Sequence, residues 1–110
     1  MRYDGDAFYK TRRWKHLRAV ILRRDGYMCQ WSKRYGKCVP ADHVHHVFPR
    51  ELFPEYQWCA WNLVSLSRAV HDEMHDRVTN DLTDKGMTLL RSVARRNNID
   101  VPWRYQEGAR

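Results

Sequence analysis

Val44-His45-His46-Val47-Phe48-Pro49 is the stretch on which the reading of this chain turns. His43 to Phe48 alternates enough to predict a short β-strand, and Pro49 ends it because proline has no N–H to give to a ladder. Successive side chains of a strand point to opposite faces. His45 and His46 are therefore expected to meet different surroundings. One imidazole can face a metal ion while its neighbour faces a water molecule to be deprotonated. An unperturbed histidine titrates near pH ~6.5, which suits a general base at neutral pH. The plainer reading of such a pair is two partly exposed histidines before a turn.

Downstream stands His71-Asp72-Glu73-Met74-His75-Asp76-Arg77. On a helix, residues four apart lie one above the other on a single face. Two imidazoles so placed can grip one divalent ion, and a pair of exposed surface histidines is the alternative. Five of the six histidines fall between His43 and His75, so the pairs belong to one region. Between them, Arg50 to Trp61 is expected to be a loop containing Pro54. Asn62-Leu63-Val64-Ser65-Leu66 reads as a second strand. Ser67 is expected to cap a helix from about Arg68 to Val78.

The flanks predict helices. Phe8 to Arg24 carries Trp14, Leu17 and Ile21 at helical spacing, with Lys10, Arg12, Arg13, Lys15, Arg18, Arg23 and Arg24 around the rest. Asp25-Gly26 is a stop signal. Tyr27 to Pro40 is expected to be irregular. A further helix is predicted over Thr83 to Arg96 with Met87, Leu90 and Ala94 inward, ended by Asn97-Asn98 and followed by a loose tail to Arg110. The expected architecture is α+β: strand, loop, strand and helix over about 40–78, flanked by a basic helix over about 8–24 and a C-terminal helix over about 83–97.

The chain has 110 residues, and one domain over 1–110 is expected. Its 43% hydrophobic content is too high for a disordered chain. A net charge of +7 favours a polyanionic partner, since each neutralised phosphate releases counterions; the alternative is a charge that serves solubility alone. Three cysteines, Cys29, Cys38 and Cys59, make a poor disulfide framework. Met1 to Lys10 is polar and unlike a signal peptide. No apolar run approaches the ~20 residues of a membrane span. A cytoplasmic protein without a membrane partner is expected.

Taken together, the His-His pair, Asn62, and His71 with His75 resemble the HNH nucleases, a branch of the ββα-metal (His-Me finger) group. The segment from Phe8-Tyr9-Lys10 through Trp14, Leu17, Arg18 and Leu22-Arg23-Arg24-Asp25-Gly26 is similar to the flanks of small bacteriophage and prophage members. The resemblance covers about Phe8 to Arg77. It implies a two-stranded antiparallel ribbon plus helix, and a metal-dependent DNA endonuclease that leaves 5′-phosphate and 3′-hydroxyl ends. It also implies His46 as general base and Asn62 as the residue that orients it. His45, His71 and His75 are implied as ligands of one divalent ion, with Arg50 and Arg77 as phosphate contacts. Asp42-His43 is an alternative frame for the His pair; His45-His46 is preferred because it lies directly before Val47-Phe48-Pro49.

Nitrogen-rich ligation suits Zn²⁺, Ni²⁺ or Mn²⁺ better than Mg²⁺. Many relatives carry a zinc knuckle of two C-x-x-C pairs. Here Ser32, Ser67 and Val70 stand where three of its cysteines would be, so no structural zinc is expected and Trp31, Trp58 and Trp61 are expected to help hold the core. DNA contacts are expected from Arg12, Arg13, Lys15, Arg50 and Arg77. The resemblance also suggests a link to phage terminase and DNA packaging. A non-catalytic zinc-stabilised DNA-binding protein, an RNA-directed nuclease and a plain basic interaction module are the competing readings.

Overall fold

The structure is a computed structural model and describes residues 5–108. The outermost ends of the expected unit, from Met1 and up to Arg110, lie outside the described residues. The element order is α1 (Gly5–Lys10), α2 (Arg12–Arg24), α3 (Gln30–Lys33), β1 (His43–His46), β2 (Leu63–Leu66), α4 (Arg68–Asp72) and α5 (Asp84–Arg96). Short 3₁₀ turns occupy Pro54–Tyr56, Ala60–Asn62 and Trp103–Tyr105.

The first expected helix is two helices. Thr11 breaks it, because its side chain accepts the Trp14 N–H at 3.2 Å and so caps α2. Trp14 and Ile21 are buried, as their spacing predicts, and pack with Leu63 and the partly buried Phe8, Leu17 and Trp58. At the C-terminus of α2, Gly26 takes φ +64°, which glycine adopts without steric cost. Arg24 and Asp25 then tie α2 to β2. Arg24 donates to the carbonyls of Ala60 and Leu63, and Asp25 Oδ2 accepts the Ser65 N–H at 3.0 Å.

β1 and β2 form one antiparallel ribbon, with His43 opposite Leu66 and His46 opposite Leu63. The strand expected over His43 to Phe48 stops at His46. Beyond it, Asn62 replaces the ladder. Its backbone carbonyl accepts from Val47 N–H at 2.9 Å, its side-chain Oδ1 from Phe48 N–H at 2.7 Å, and its Nδ2 donates to the carbonyls of Phe48 and Tyr56. Val47 and Phe48 are thereby buried in the main core with Leu66, Met74, Leu90 and Val93. Trp31 and Trp61 pack against this cluster from its rim.

Three further expectations are corrected. The helix expected to reach Val78 ends at Asp72. Thr83, the N-cap of α5, draws the chain away: its hydroxyl donates to the Glu73 carbonyl at 2.6 Å and its N–H to the Met74 carbonyl at 2.9 Å. His75 therefore lies not on a helix but on an isolated bridge to Leu82. The tail is ordered as far as the Trp103–Tyr105 turn: Tyr105 is buried, and its carbonyl accepts from Arg91 at 2.8 Å. The segment expected to be irregular holds the short α3, and Cys29 beside it is buried with Ser32 Oγ 3.4 Å from its sulfur.

Candidate active site

The alternation of β1 separates its two adjacent histidines. His45 turns towards His71 and His75, with ring centroids 5.4 Å and 5.5 Å away. His71 arrives on α4 and His75 on the bridge to Leu82, so the three imidazoles meet although the helix expected to carry two of them stops early. His45 is 2% exposed, and its Nε2 is a buried nitrogen without a hydrogen-bond partner. Burial, with the neighbouring His71, His75 and His46, pushes its pKa well below the usual histidine value. Burial also lowers that of His71, followed by the effects of His43 and His75. At neutral pH His45 and His71 are therefore uncharged donors. His75 Nδ1 lies 3.2 Å from the Asn80 carbonyl, which can only accept, so Nδ1 donates there and the contact orients the ring.

Among the described residues no group of three His, Cys, Asp or Glu side chains is arranged to hold a metal ion as it stands. The chemistry of the donor set nevertheless suits one. A buried imidazole nitrogen with no partner costs free energy unless something fills its lone pair. Neutral imidazoles are the ligands that Zn²⁺, Ni²⁺ and Mn²⁺ accept.

His46 turns the other way. Its ring stacks on Trp14, with centroids 5.2 Å apart and planes 22° apart, and meets Phe8 and Tyr9 at their edges. Its Nε2 lies 3.1 Å from the Gln57 carbonyl. A carbonyl cannot donate, so the proton is on Nε2 and the Nδ1 lone pair is available. Burial pushes its pKa down to about 4; the Gln57 bond raises it and Arg50 lowers it further. His46 is thus neutral at pH 7.

Both faces open on one cleft of about 600 Å³, lined by His45, His46, His71, His75 and Arg50, among others. The Arg50 guanidinium lies 4.1 Å from the Phe8 ring centre, and that of Arg13 lies 4.0 Å from the Trp58 ring centre. Arg12, Lys15 and Arg77 are exposed, and none of the three lines the cleft. Sequence reasoning missed Tyr9, Arg104 and Tyr105 in the cleft wall. The aromatic content of Phe8-Tyr9 was the one available signal. The Gln57 carbonyl was invisible, because a backbone acceptor leaves no mark on residue identity.

No family model matches the sequence, and no curated protein matches it. Among solved structures, the chain is similar to the HNH endonuclease of the deep-sea thermophilic bacteriophage GVE2, crystallised with a manganese ion. The two share 32% identity and a TM-score of 0.60, over 62% of this chain and 74% of that one. With the ribbon, the helix and the paired imidazoles in place, this likeness shows that the chain belongs to the HNH endonuclease family.

Proposed function

We propose that the protein is a metal-dependent endonuclease that hydrolyses phosphodiester bonds of DNA. One observation carries the reading: His46 is neutral, fixed in plane by Trp14, and held by Gln57 in the tautomer that leaves Nδ1 open, on the strand face opposite to His45. A general base must be positioned before it is basic, and this one is. His46 takes a proton from the attacking water through Nδ1. Asn62 positions it by holding the chain that leaves β1, since its side chain bonds Phe48 on both backbone atoms.

His45, His71 and His75 would hold one divalent ion. When bound, the ion supplies electrostatic stabilisation for charge on the phosphate and on the leaving 3′ oxygen. Manganese in the GVE2 protein supports a divalent ion of the Zn²⁺, Ni²⁺, Mn²⁺ or Mg²⁺ class here. Arg50 steers a phosphate into the cleft, while Arg12, Arg13, Lys15 and Arg77 meet the flanking backbone. Such contacts give affinity that falls steeply with salt and carries little sequence preference. No helix among the described residues is long and apolar enough to cross a membrane. The resemblance to phage proteins favours action in the cytoplasm of a host cell, beside the terminase that packages DNA.

The test is plasmid cleavage with Mn²⁺, with and without chelator, by the native protein and by His46→Ala. Loss of a general base costs roughly 10²–10⁴-fold in rate. DNA affinity, read by electrophoretic shift with chelator, is expected to stay native. Unchanged cleavage by a folded His46→Ala protein overturns the mechanism. A native protein that binds DNA and metal yet never cleaves is the zinc-stabilised binding protein instead.

A further inference from the structure

Asp42 and His43 stand at the start of β1 and have no part in the roles above. Two-residue alternation places His43 on the same strand face as His45. Its ring lies flat against His71, with centroids 5.0 Å apart and planes only 24° apart. His43 Nδ1 donates to Asp42 Oδ1 at 2.9 Å. Asp42 is itself fixed through its backbone: its N–H donates to the Leu66 carbonyl at 3.2 Å, and its carbonyl accepts from Arg18 Nη2 at 2.8 Å. The result is a carboxylate–imidazole pair, anchored to β2 and α2, laid against one of the imidazoles assigned to the ion.

The stacking decides what His43 can do. The lone pair of an imidazole nitrogen lies in the plane of its ring. Two nearly parallel stacked rings therefore aim their lone pairs along separate planes, and cannot both point at one ion. His43 is excluded as a ligand beside His71 and is left as a support. His71 needs one. Metal-bound histidines are ordinarily oriented by a hydrogen bond from the other ring nitrogen. His75 has that bond, to the Asn80 carbonyl. His71 has none among the described residues: the Asp72 carboxylate stands 3.9 Å from its Nδ1, beyond hydrogen-bond reach.

We propose that Asp42 and His43 form a positioning pair that sets the ring plane of His71 by stacking, in place of the missing hydrogen bond, and thereby tunes metal affinity. The inference rests on the ligand set given above. The Asp42 carboxylate holds the His43 ring, and the His43 ring holds His71.

The test is titration of chelator-stripped protein with Co²⁺, read by calorimetry and by the visible absorption band of the loaded protein. The variants are His43→Ala, His43→Phe, Asp42→Asn and His71→Ala, each with its melting temperature measured free of metal. His43→Ala is expected to weaken Co²⁺ binding about 10-fold, the scale of an outer partner, and to alter the absorption band. His43→Phe keeps a ring against His71 and is expected to recover most of that affinity. Asp42→Asn is expected to cost about threefold. Native affinity and spectrum in His43→Ala overturn the proposal, as do equal losses in His43→Ala and His43→Phe. Should His43→Ala fail to fold, the exposed Asp42→Asn change decides, and native binding there overturns the proposal. His71→Ala separates the two readings. If it binds Co²⁺ as the native protein does, the ligand set itself is wrong. If it loses binding while the His43 and Asp42 variants do not, only the positioning pair is wrong.

Discussion

His45 and His46 are consecutive residues of one short strand, and their surroundings share almost nothing. The His45 side is assembled from α4 and from the segment that crosses to α5, and its rings are all imidazoles. The His46 side is assembled from the N-terminal helices, and its rings are those of Phe8, Tyr9 and Trp14. Burial keeps both histidines neutral. What differs is the second ring nitrogen. In His46 the Gln57 carbonyl fixes it, whereas in His45 it faces no partner. Under the proposed mechanism, two-residue alternation turns one dipeptide into two reagents, a fixed base and an electron-pair donor, without any difference in residue type.

Three changes break or sharpen this contrast. The largest effect is expected from Asn62→Ala, which strikes the His46 side. Asn62 is fully buried, and its removal strands the Phe48 N–H and the Phe48 carbonyl, while the Tyr56 carbonyl keeps the Cys59 N–H. A loss of roughly 3–5 kcal/mol in urea unfolding is expected, since each buried polar group left unpaired costs about 1–3 kcal/mol.

Acid is expected to act next, on both sides at once. The folded-state pKa of His46 is about 4, against ~6.5 in an unfolded chain. Between these values the unfolded chain binds more protons, so stability is complete above pH ~6.5 and declines as pH falls towards 4. The slope is about 1.4 kcal/mol per pH unit, and the full share of His46 is about 3 kcal/mol. His45 and His71 act in the same direction. Urea midpoints at pH 7 and pH 5, taken with chelator present, read the slope. His46→Phe is expected to flatten it, and an unchanged slope means that His46 is not buried as described.

The smallest effect is expected from Gly86→Ala, which strikes the His45 side. A Cβ at Gly86 would collide with the Met74 carbonyl and press on Leu82. Relief requires α5 to move off the segment that carries His75, at about 1–3 kcal/mol. Metal affinity should fall with it, while fluorescence from the Trp14 region should not change.

The sequence showed much of this. The start of the strand at His43, the Ser67 cap and the Asp25-Gly26 stop are local signals with local causes, and each is where the residues place it, although the strand ends at His46 rather than Phe48. The helix over Arg68 to Val78 was over-read, because the spacing of His71 and His75 fits a helical face as well as it fits a turn. Its true end is set by Thr83, which is distant in sequence and claims the Glu73 and Met74 backbone. Thr11 was equally concealed, since a threonine among arginines signals a cap only when the chain bends there. The cleft wall at Tyr105 was missed because a C-terminal segment rich in charge gives no sign that Arg91 will hold its backbone.

The close seat of α5 on Met74 has one more consequence. The motif from His43 to Arg77 is continuous in sequence, but it is not a portable cassette. Its last imidazole is aimed by a bridge to Leu82 and by a helix cap at Thr83, both downstream of the motif. Transplanted into another scaffold without Leu82 to Arg96, the segment would carry every signature residue and leave His75 without the parts that aim it.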